Sequence, residues 1–471
     1  MQTGSISFQN STFAGFEPVS KTSCDSLELS QSGGKMKDYL DSLKSSSRVS
    51  VVERSVDPKH ELAAVIVASQ RVNERPVLFN NVQGTQFPVL ANVFGSHERL
   101  CEMIGAQAQT FVERWLALTE GGASNPPSPI PAFVEHAEGT LSDLPQITYH
   151  ARDAGPYFTS AIYLAKDPDT GVANLSFHRS MYVSDHELRV RLGSSHDLAR
   201  YQRAAEGRGE ALEAALILSA PPSVFLAACA SLPIEESELD LAGRISGRPL
   251  PMRRCRTIDL EVPEEADIVV EGRFLPNVRR EEGPFGEFMG NYVEAGLNHV
   301  FEVTAVTYRP GAVFHGLVCG SAEDLRPLEA TTAARIYRHL KNTVPGVIDV
   351  CCRPNVMITI VKIKKAYEGH GKHVLLAALG SYLDYNKVVF VVDEDVDIYN
   401  LEDVMWAYMT RGRADTRAMI LNDIPGFYRD DHKDHWGRLA IDATLPWGRE
   451  KEFARKTVPG ADDIDLAAYF S

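Results

Sequence analysis

Several features that would identify a function at sight are missing from this chain. No Cys-x-x-Cys pair occurs among its seven cysteines, an odd number scattered along the sequence except for Cys351–Cys352. That usage suits reduced thiols in a cytoplasmic protein better than a disulfide framework. A basic surplus is absent too. Lys and Arg number 48 against 63 Asp and Glu, and the formal net charge of −15 argues against nucleic acid or an anionic membrane as the main partner. No apolar run approaches the length of a membrane span. The opening "MQTGSISFQNSTFAGF" lacks the basic n-region and apolar h-region of a secretory signal. The familiar phosphate cradles are weak or missing. "EGHGKHVLL" (368–376) has neither the spacing nor the Ser/Thr of a P-loop, and "AEGRGEALEAA" lacks a third glycine and follows no strand.

What is present is ordinary in bulk and informative in pattern. With 471 residues, 44% hydrophobic and 24% charged, the chain can form two or three domains with real cores, and its size suits an enzyme. Residues 1–35 are rich in Ser, Thr, Gly and Gln and read as a flexible extension, followed by a helix from Met36 ("MKDYLDSLKS"). Short apolar runs then alternate with helical segments such as "PKHELAAVIVASQRV" and "HERLCEMIGAQAQTFVERWLAL", which predicts an α/β layer. A Pro-rich linker crosses 125–133. The middle of the chain is dense in strand-like runs: "YFTSAIYLAKDPDTGVANLSFHRSMYV" as two strands around a turn, then "AALILS", "ADIVVEGRFL", "VFEVTAVTYRP" and "AVFHGLV". They predict a β-barrel or sandwich. From about 327 the α/β pattern returns, with "VMITIVKI" and "KVVFVVDEDV" as buried parallel strands and "KHVLLAALGSYL" as their crossover helix.

Three stretches carry candidate chemistry. In "REEGPFGEFMGNY" (280–292), Glu282 and Glu287 are spaced wrongly for one face of a helix or of a regular strand, and Gly283, Pro284 and Gly286 separate them. The reading is an irregular turn carrying two acids. In "NLSFHRS" (174–180), an odd separation sends Asn174 and Arg179 to opposite faces of a regular strand. To share one site, Asn174 would have to lie in a turn or at a bulge; otherwise the two are an exposed Asn and a solvated Arg. His196 and Glu238 each read singly as a cap or surface group, but with Asn174 they make an O/N ligand set suited to Mg²⁺ or Mn²⁺. "HKDHWGR" (432–438) could place two histidines on a metal, although a solvated loop is the plainer reading.

From about residue 36 onward these segments resemble the UbiD family of prenylated-flavin-dependent decarboxylases, to which ferulic acid decarboxylase belongs. "EGPFGE" matches the family's Glu-Gly-Pro-Phe/Tyr-Gly-Glu/Asp segment, "NLSFHR" its Asn-x4-Arg, and "SELDLAG" its Ser-Glu-x3-Ala-Gly. "DLEVPEEADIVVEG", "VVDEDVDIYNLEDVMWA" and "LAIDAT" follow in the same order. The resemblance implies an α/β plus β fold: an N-terminal α/β domain (36–145), a central split β-barrel that binds the flavin (146–325) and a C-terminal α/β domain (326–471). It implies reversible, non-oxidative decarboxylation of an α,β-unsaturated or (hetero)aromatic acid, with CO₂ as co-product. The implied cofactors are prenylated FMN, Mn²⁺ or Mg²⁺, and K⁺. Asn174, His196 and Glu238 correspond to the ligands of the divalent metal. Arg179, Glu282 and Glu287 correspond to the catalytic Glu-Arg-Glu network: Arg179 on the substrate carboxylate, Glu282 orienting Arg179, Glu287 as proton donor. Ser195, Ser231, Leu232 and Arg438 complete the implied cofactor contacts together with Asn174, Arg179, His196 and Glu238. Arg438 falls where the family usually has a lysine. "DLARY" after His196 departs from the Arg-Gly-Gly of the ubiquinone-pathway members.

The implied partners are a flavin prenyltransferase as cofactor supplier and further copies of the chain, as a dimer or larger homo-oligomer, with neither nucleic acid nor membrane. Two other classes of function are compatible with parts of the pattern. One is a non-catalytic subunit of a multi-subunit carboxylase; the other is a flavin-free, metal-dependent hydrolase built on Asn174, His196 and Glu238. Retention of every metal-ligand type and of both acids argues against the first, and activity without flavin would mark the second.

Overall fold

The computed structural model describes residues 34–121, 136–194, 196–382, 384–424, 426, 437–456, 458–460, 464 and 469. The 125–133 linker, most of the 1–35 extension, Ser195 and the histidines of "HKDHWGR" lie outside the described residues. Met36–Ser45 is a helix, as its pattern predicts, and it buries Met36, Tyr39, Leu40 and Leu43 at helical spacing. "HERLCEMIGAQAQTFVERWLAL" is two helices, His97–Ile104 and Phe111–Thr119. The break comes at Gly105, which caps the first helix with a left-handed φ of 67°.

The first sheet has four strands, Ser50–Val52, Val77–Phe79, Val89–Ala91 and Phe314–His315. Its last strand is the "AVFHGLV" run expected in the central β region. Instead Phe314 and His315 pair in parallel with Val89 and Leu90, so the chain returns from the middle of the sequence to complete the N-terminal layer. Glu323 locks this return. Its carboxylate accepts from the backbone N–H of Asn92 (2.5 Å), Val93 (2.6 Å) and Phe94 (3.2 Å), and lies 2.9 Å from His315 Nε2.

The central sheet has nine strands, all antiparallel, built on the long pair Ile268–Glu282 and Gly296–Tyr308. Two register shifts in that pair, at Glu271/Gly272 and Phe274/Arg279, bend it. Among the described residues the hydrogen-bonded path stays open and does not close into a barrel. The "YFTSAI…MYV" segment contributes four strands rather than two: Tyr157–Phe158, Ile162–Lys166, Ala173–Phe177 and Ser180–Ser184.

Helix Ala322–Thr343 leads into a five-stranded sheet. There Ile358–Ile363 and Val388–Asp393 pair in parallel, with helix His370–Ser381 crossing between them, as their continuous apolar runs predict. No helix among the described residues is long and apolar enough to cross a membrane. The architecture is mixed α/β.

Candidate active site

The two acids of "EGPFGE" occupy different backbone environments. Glu282 is the last residue of the Ile268–Glu282 strand, paired opposite Gly296. Gly283 then turns the chain with φ +94°, where a Cβ would press on Ala295 Cα at 3.3 Å. A cis Gly283–Pro284 bond follows, and Phe285–Gly286 forms a short strand against Tyr292–Val293. Gly286 packs so closely on His150 that a Cβ would lie 2.6 Å from its Nδ1. Its N–H donates to Asp153 at 2.8 Å, and the Glu287 N–H donates to Asn291 O at 2.9 Å. The glycines thus let the segment double back and hold both carboxyl groups toward one point.

That point is Arg179. Its Nε and Nη2 donate to the two oxygens of Glu282 at 3.1 and 3.0 Å, and its Nη1 donates to Glu287 Oε1 at 2.6 Å. The three side chains are buried, with 7% of Arg179, none of Glu282 and 7% of Glu287 exposed. Phe285 lies under the guanidinium, its ring centroid 4.7 Å from Cζ. Glu282 is fixed further by Tyr157 Oη and Asn298 Nδ2, each donating at 2.8 Å. A buried carboxylate with this many donors has its charge met on every side, so removing one partner is costly. Tyr157 in turn carries a raised pKa, from burial first and from the Glu282 carboxylate second.

Asn174 and Arg179 reach one cavity by a route other than the one expected. Asn174 sits in register on the Ala173–Phe177 strand, opposite Ala165, and not in a turn or bulge. The alternation is broken later, at His178 and Arg179, which lie between that strand and Ser180–Ser184. Both residues line a cavity of about 590 Å³, together with Glu287, Phe285, His196 and Glu238.

The Asn174 end of the cavity is a polar cluster. Glu238 opens helix Glu238–Ser246, behind the N-cap Ser237. Its Oε2 accepts from Leu175 N at 2.9 Å and Asn174 Nδ2 at 3.2 Å. Burial pushes its carboxyl up to about 7. Among the described residues it has no cationic partner, so a buried acid here lacks the charge that would balance it. Ser176 Oγ donates to Asn174 Oδ1 at 3.0 Å and lies 2.9 Å from His178 Nε2. The His178 ring stands 5.2 Å from that of His196, an exposed residue that precedes helix Asp197–Gly207. Burial first, and His196 second, hold the His178 pKa well below its usual value. Glu238 and the Asn174 amide supply oxygen ligands of the kind Mg²⁺ or Mn²⁺ takes, with His196 in the wall of the same cavity.

Of the remaining sequence candidates, Ser231 and Leu232 line the same cavity, and Arg438 does not. Arg438 is buried in the Gly437–Asp442 strand of the C-terminal sheet. Sequence reasoning missed several residues that the fold brings in. Tyr157 and Asn298 hold Glu282 from 125 and 16 residues away. Arg191 lines the cavity with a buried Nε that lacks a hydrogen-bond partner, which fits an anionic group such as a phosphate. Cys319 and Asp324 close the wall beside Arg179, and Asp324 accepts from Gly320 N at 2.7 Å. Each is a single unremarked residue in the sequence, so no local pattern could flag it.

Comparison with known proteins covers nearly the whole described chain. Three family models match in order: the 3-octaprenyl-4-hydroxybenzoate carboxy-lyase N-terminal domain over 40–119, its Rift-related domain over 124–322 and its C-terminal domain over 326–443. Anhydromevalonate phosphate decarboxylase of Methanothermobacter thermautotrophicus is 32% identical over 437 residues, spanning 89% of this chain and 99% of the relative. Phenolic acid decarboxylase of Bacillus subtilis is 30% identical over 437 residues, spanning 87% and 92%. Among solved structures, the UbiD-class enzyme HmfF from Pelotomaculum thermopropionicum in complex with FMN superposes with a TM-score of 0.86. It is 32% identical and covers 93% of this chain and 100% of that one. An evolved dimeric form of HmfF in complex with prFMN gives 0.83 at 31% identity, covering the same shares.

Proposed function

The chain belongs to the UbiD family of carboxy-lyases, and from that premise we propose that it reversibly decarboxylates an α,β-unsaturated or (hetero)aromatic acid with prenylated FMN. The observation that carries this reading is Arg179 bridging Glu282 and Glu287 on the wall of a cavity large enough for a flavin and a small acid. Two relatives point the same way, one named for phenolic acids and one solved with FMN.

Removing CO₂ from an sp² carbon leaves an electron pair that needs a sink, and prenylated FMN supplies it when bound. The protein's own residues do the rest. Arg179 receives the substrate carboxylate through its Nη1 edge, the edge that now meets Glu287. A planar guanidinium neutralises and aligns a carboxylate together. Glu282, held by Tyr157 and Asn298, keeps Arg179 from turning away. Glu287, which takes up a proton once the substrate carboxylate replaces it on Arg179, then lies next to the carbon that CO₂ leaves and delivers that proton there. The apolar Phe285 and Leu317 in the wall exclude water from that exchange.

Asn174, His196 and Glu238 would hold Mn²⁺ or Mg²⁺, which would supply positive charge for the flavin phosphate, as would the Arg191 guanidinium in the same cavity wall, with K⁺ as a further ion. The open nine-stranded sheet serves as the family's split barrel, and the active unit is a homo-oligomer. A wholly non-catalytic role has no use for a buried Glu-Arg-Glu cluster at these distances. The test is co-expression with a flavin prenyltransferase, followed by a screen of unsaturated and aromatic acids for CO₂ release. Coloured protein with an absorbance band unlike that of FMN, and turnover of at least one acid, is expected. Colourless protein, inactive after anaerobic reconstitution, contradicts the reading.

A further inference from the structure

The cavity has a second wall, carrying Arg335 with Asp324 and Asp384, that the decarboxylation chemistry leaves unused. Helix Ala322–Thr343 presents Asp324, Pro327, Leu328 and Arg335 to it, at spacings that keep them on one face. Asp324 marks the inner end, beside Cys319 and near Arg179. Arg335 is eleven residues further on, roughly 16 Å along the axis. Its side chain leans back toward the helix start, which brings the guanidinium to on the order of 10 Å from the level of Asp324.

Arg335 is held ready and left unneutralised. Its Nη1 donates to Ser231 Oγ at 2.8 Å, and its Cζ lies 4.1 Å from the centroid of the Tyr382 ring. Stacking and a single hydroxyl contact fix the plane of the guanidinium and leave other N–H groups for a ligand. It forms no ion pair among the described residues, and neither does Asp384, which lines the same end of the cavity. Arg335 also borders an adjoining groove of about 320 Å³ lined by Arg338, His339, Asn342, Thr343 and Ser381. Among the described residues no acid lines that groove, although the chain as a whole carries a net charge of −15.

Building on the decarboxylase reading, we propose that Arg335, with Arg338 behind it, binds a second anionic group on the substrate. The substrate class is then an unsaturated or aromatic acid with a carboxylate or phosphate at its far end. The reacting carboxylate meets Arg179, and the distal anion anchors at Arg335 and sets the register of the reacting carbon. This is a specificity contact and takes no part in bond breaking.

The test is calorimetric titration of the flavin-loaded protein with benzoate, terephthalate and 4-phosphonobenzoate. The wild-type protein is expected to bind at least one of the two dianionic probes about tenfold more tightly than benzoate. The tighter of the two tells carboxylate from phosphate. Arg335→Met should bring that probe to within about twofold of benzoate, leaving benzoate affinity and flavin content unchanged, while Arg335→Lys keeps part of the preference. Equal affinity for all three probes in the wild type overturns the proposal, with no variant needed. So does a variant that weakens all three alike or loses flavin, because Arg335 would then be a wall or cofactor residue. Failure of the wild type to take up flavin, or to bind any of the three probes, instead contradicts the decarboxylase reading, and the proposal falls with it.

Discussion

Arg179 and Glu282 are joined through two parallel contacts, Nε to Oε1 and Nη2 to Oε2, at 3.1 and 3.0 Å. Glu287 meets the same guanidinium through Nη1 alone. The two acids therefore differ in kind. One is clamped edge to edge, and the other sits where a substrate carboxylate would arrive.

Replacing the clamp should misplace Arg179 without emptying the site. Glu282→Gln keeps the shape but cannot accept from both guanidinium nitrogens. A misplacement of about 1 Å typically costs ~10²-fold, and a drop in kcat/KM of that order is expected, with flavin content unchanged. Steady-state kinetics beside a flavin absorbance measurement would check it.

Tyr157→Phe removes one of the donors behind the clamp. Glu282 keeps Arg179 and Asn298, so the effect should be milder, about tenfold on kcat. Loss of a buried hydrogen bond should also lower stability by about 1–2 kcal/mol, read from denaturant unfolding.

Glu323 gives a prediction outside the cavity. From the start of the helix that bears Asp324 and Arg335, its carboxylate serves the N–H groups of Asn92, Val93 and Phe94 together with His315. Glu323→Gln turns an N–H₂ group toward one of those donors. A loss of about 3 kcal/mol is expected, near the upper range for an unsatisfied buried group. A lowered urea midpoint with unchanged slope would check it.

Asp267 predicts a pH dependence. It is almost fully buried, one carboxyl oxygen lacks a hydrogen-bond partner, and burial, partly offset by the Val313 N–H and Arg309, raises its pKa to about 7. In the unfolded chain an aspartate titrates near about 4. Between those values the folded protein holds a proton that the unfolded chain has released, so stability falls as pH rises through about 7. Asp267→Asn cannot ionise. It should melt above the parent by about 2 °C or more at pH 8, with the gap shrinking at pH 5. A gap independent of pH contradicts the assignment.

Regular elements were readable because their signals are local. The helical spacing of Met36, Tyr39, Leu40 and Leu43 and the β-branched run 358–361 each dictate one conformation. Elements set by long-range pairing were not. Phe314–His315 joins a sheet whose other strands end at Ala91, and nothing within "AVFHGLV" records that. In the site, Glu282, Glu287 and Arg179 could be singled out because "EGPFGE" and "NLSFHR" are distinctive strings, and the structure brings the three together. Tyr157 and Asn298 are invisible in the sequence because their role exists only after the sheet has paired. Asn174 shows a limit of parity reasoning: the break lies two residues beyond the strand, at a position that alternation alone cannot locate.

The central claim is that Glu287 donates the proton that replaces CO₂. The most direct measurement is CO₂ release by flavin-loaded Glu287→Gln against the wild type, on whichever acid the screen identifies. The account predicts a loss of at least ~10²-fold, the low end for a positioned general acid, with wild-type flavin content and wild-type affinity for the acid. Turnover at the wild-type rate with cofactor bound would contradict it.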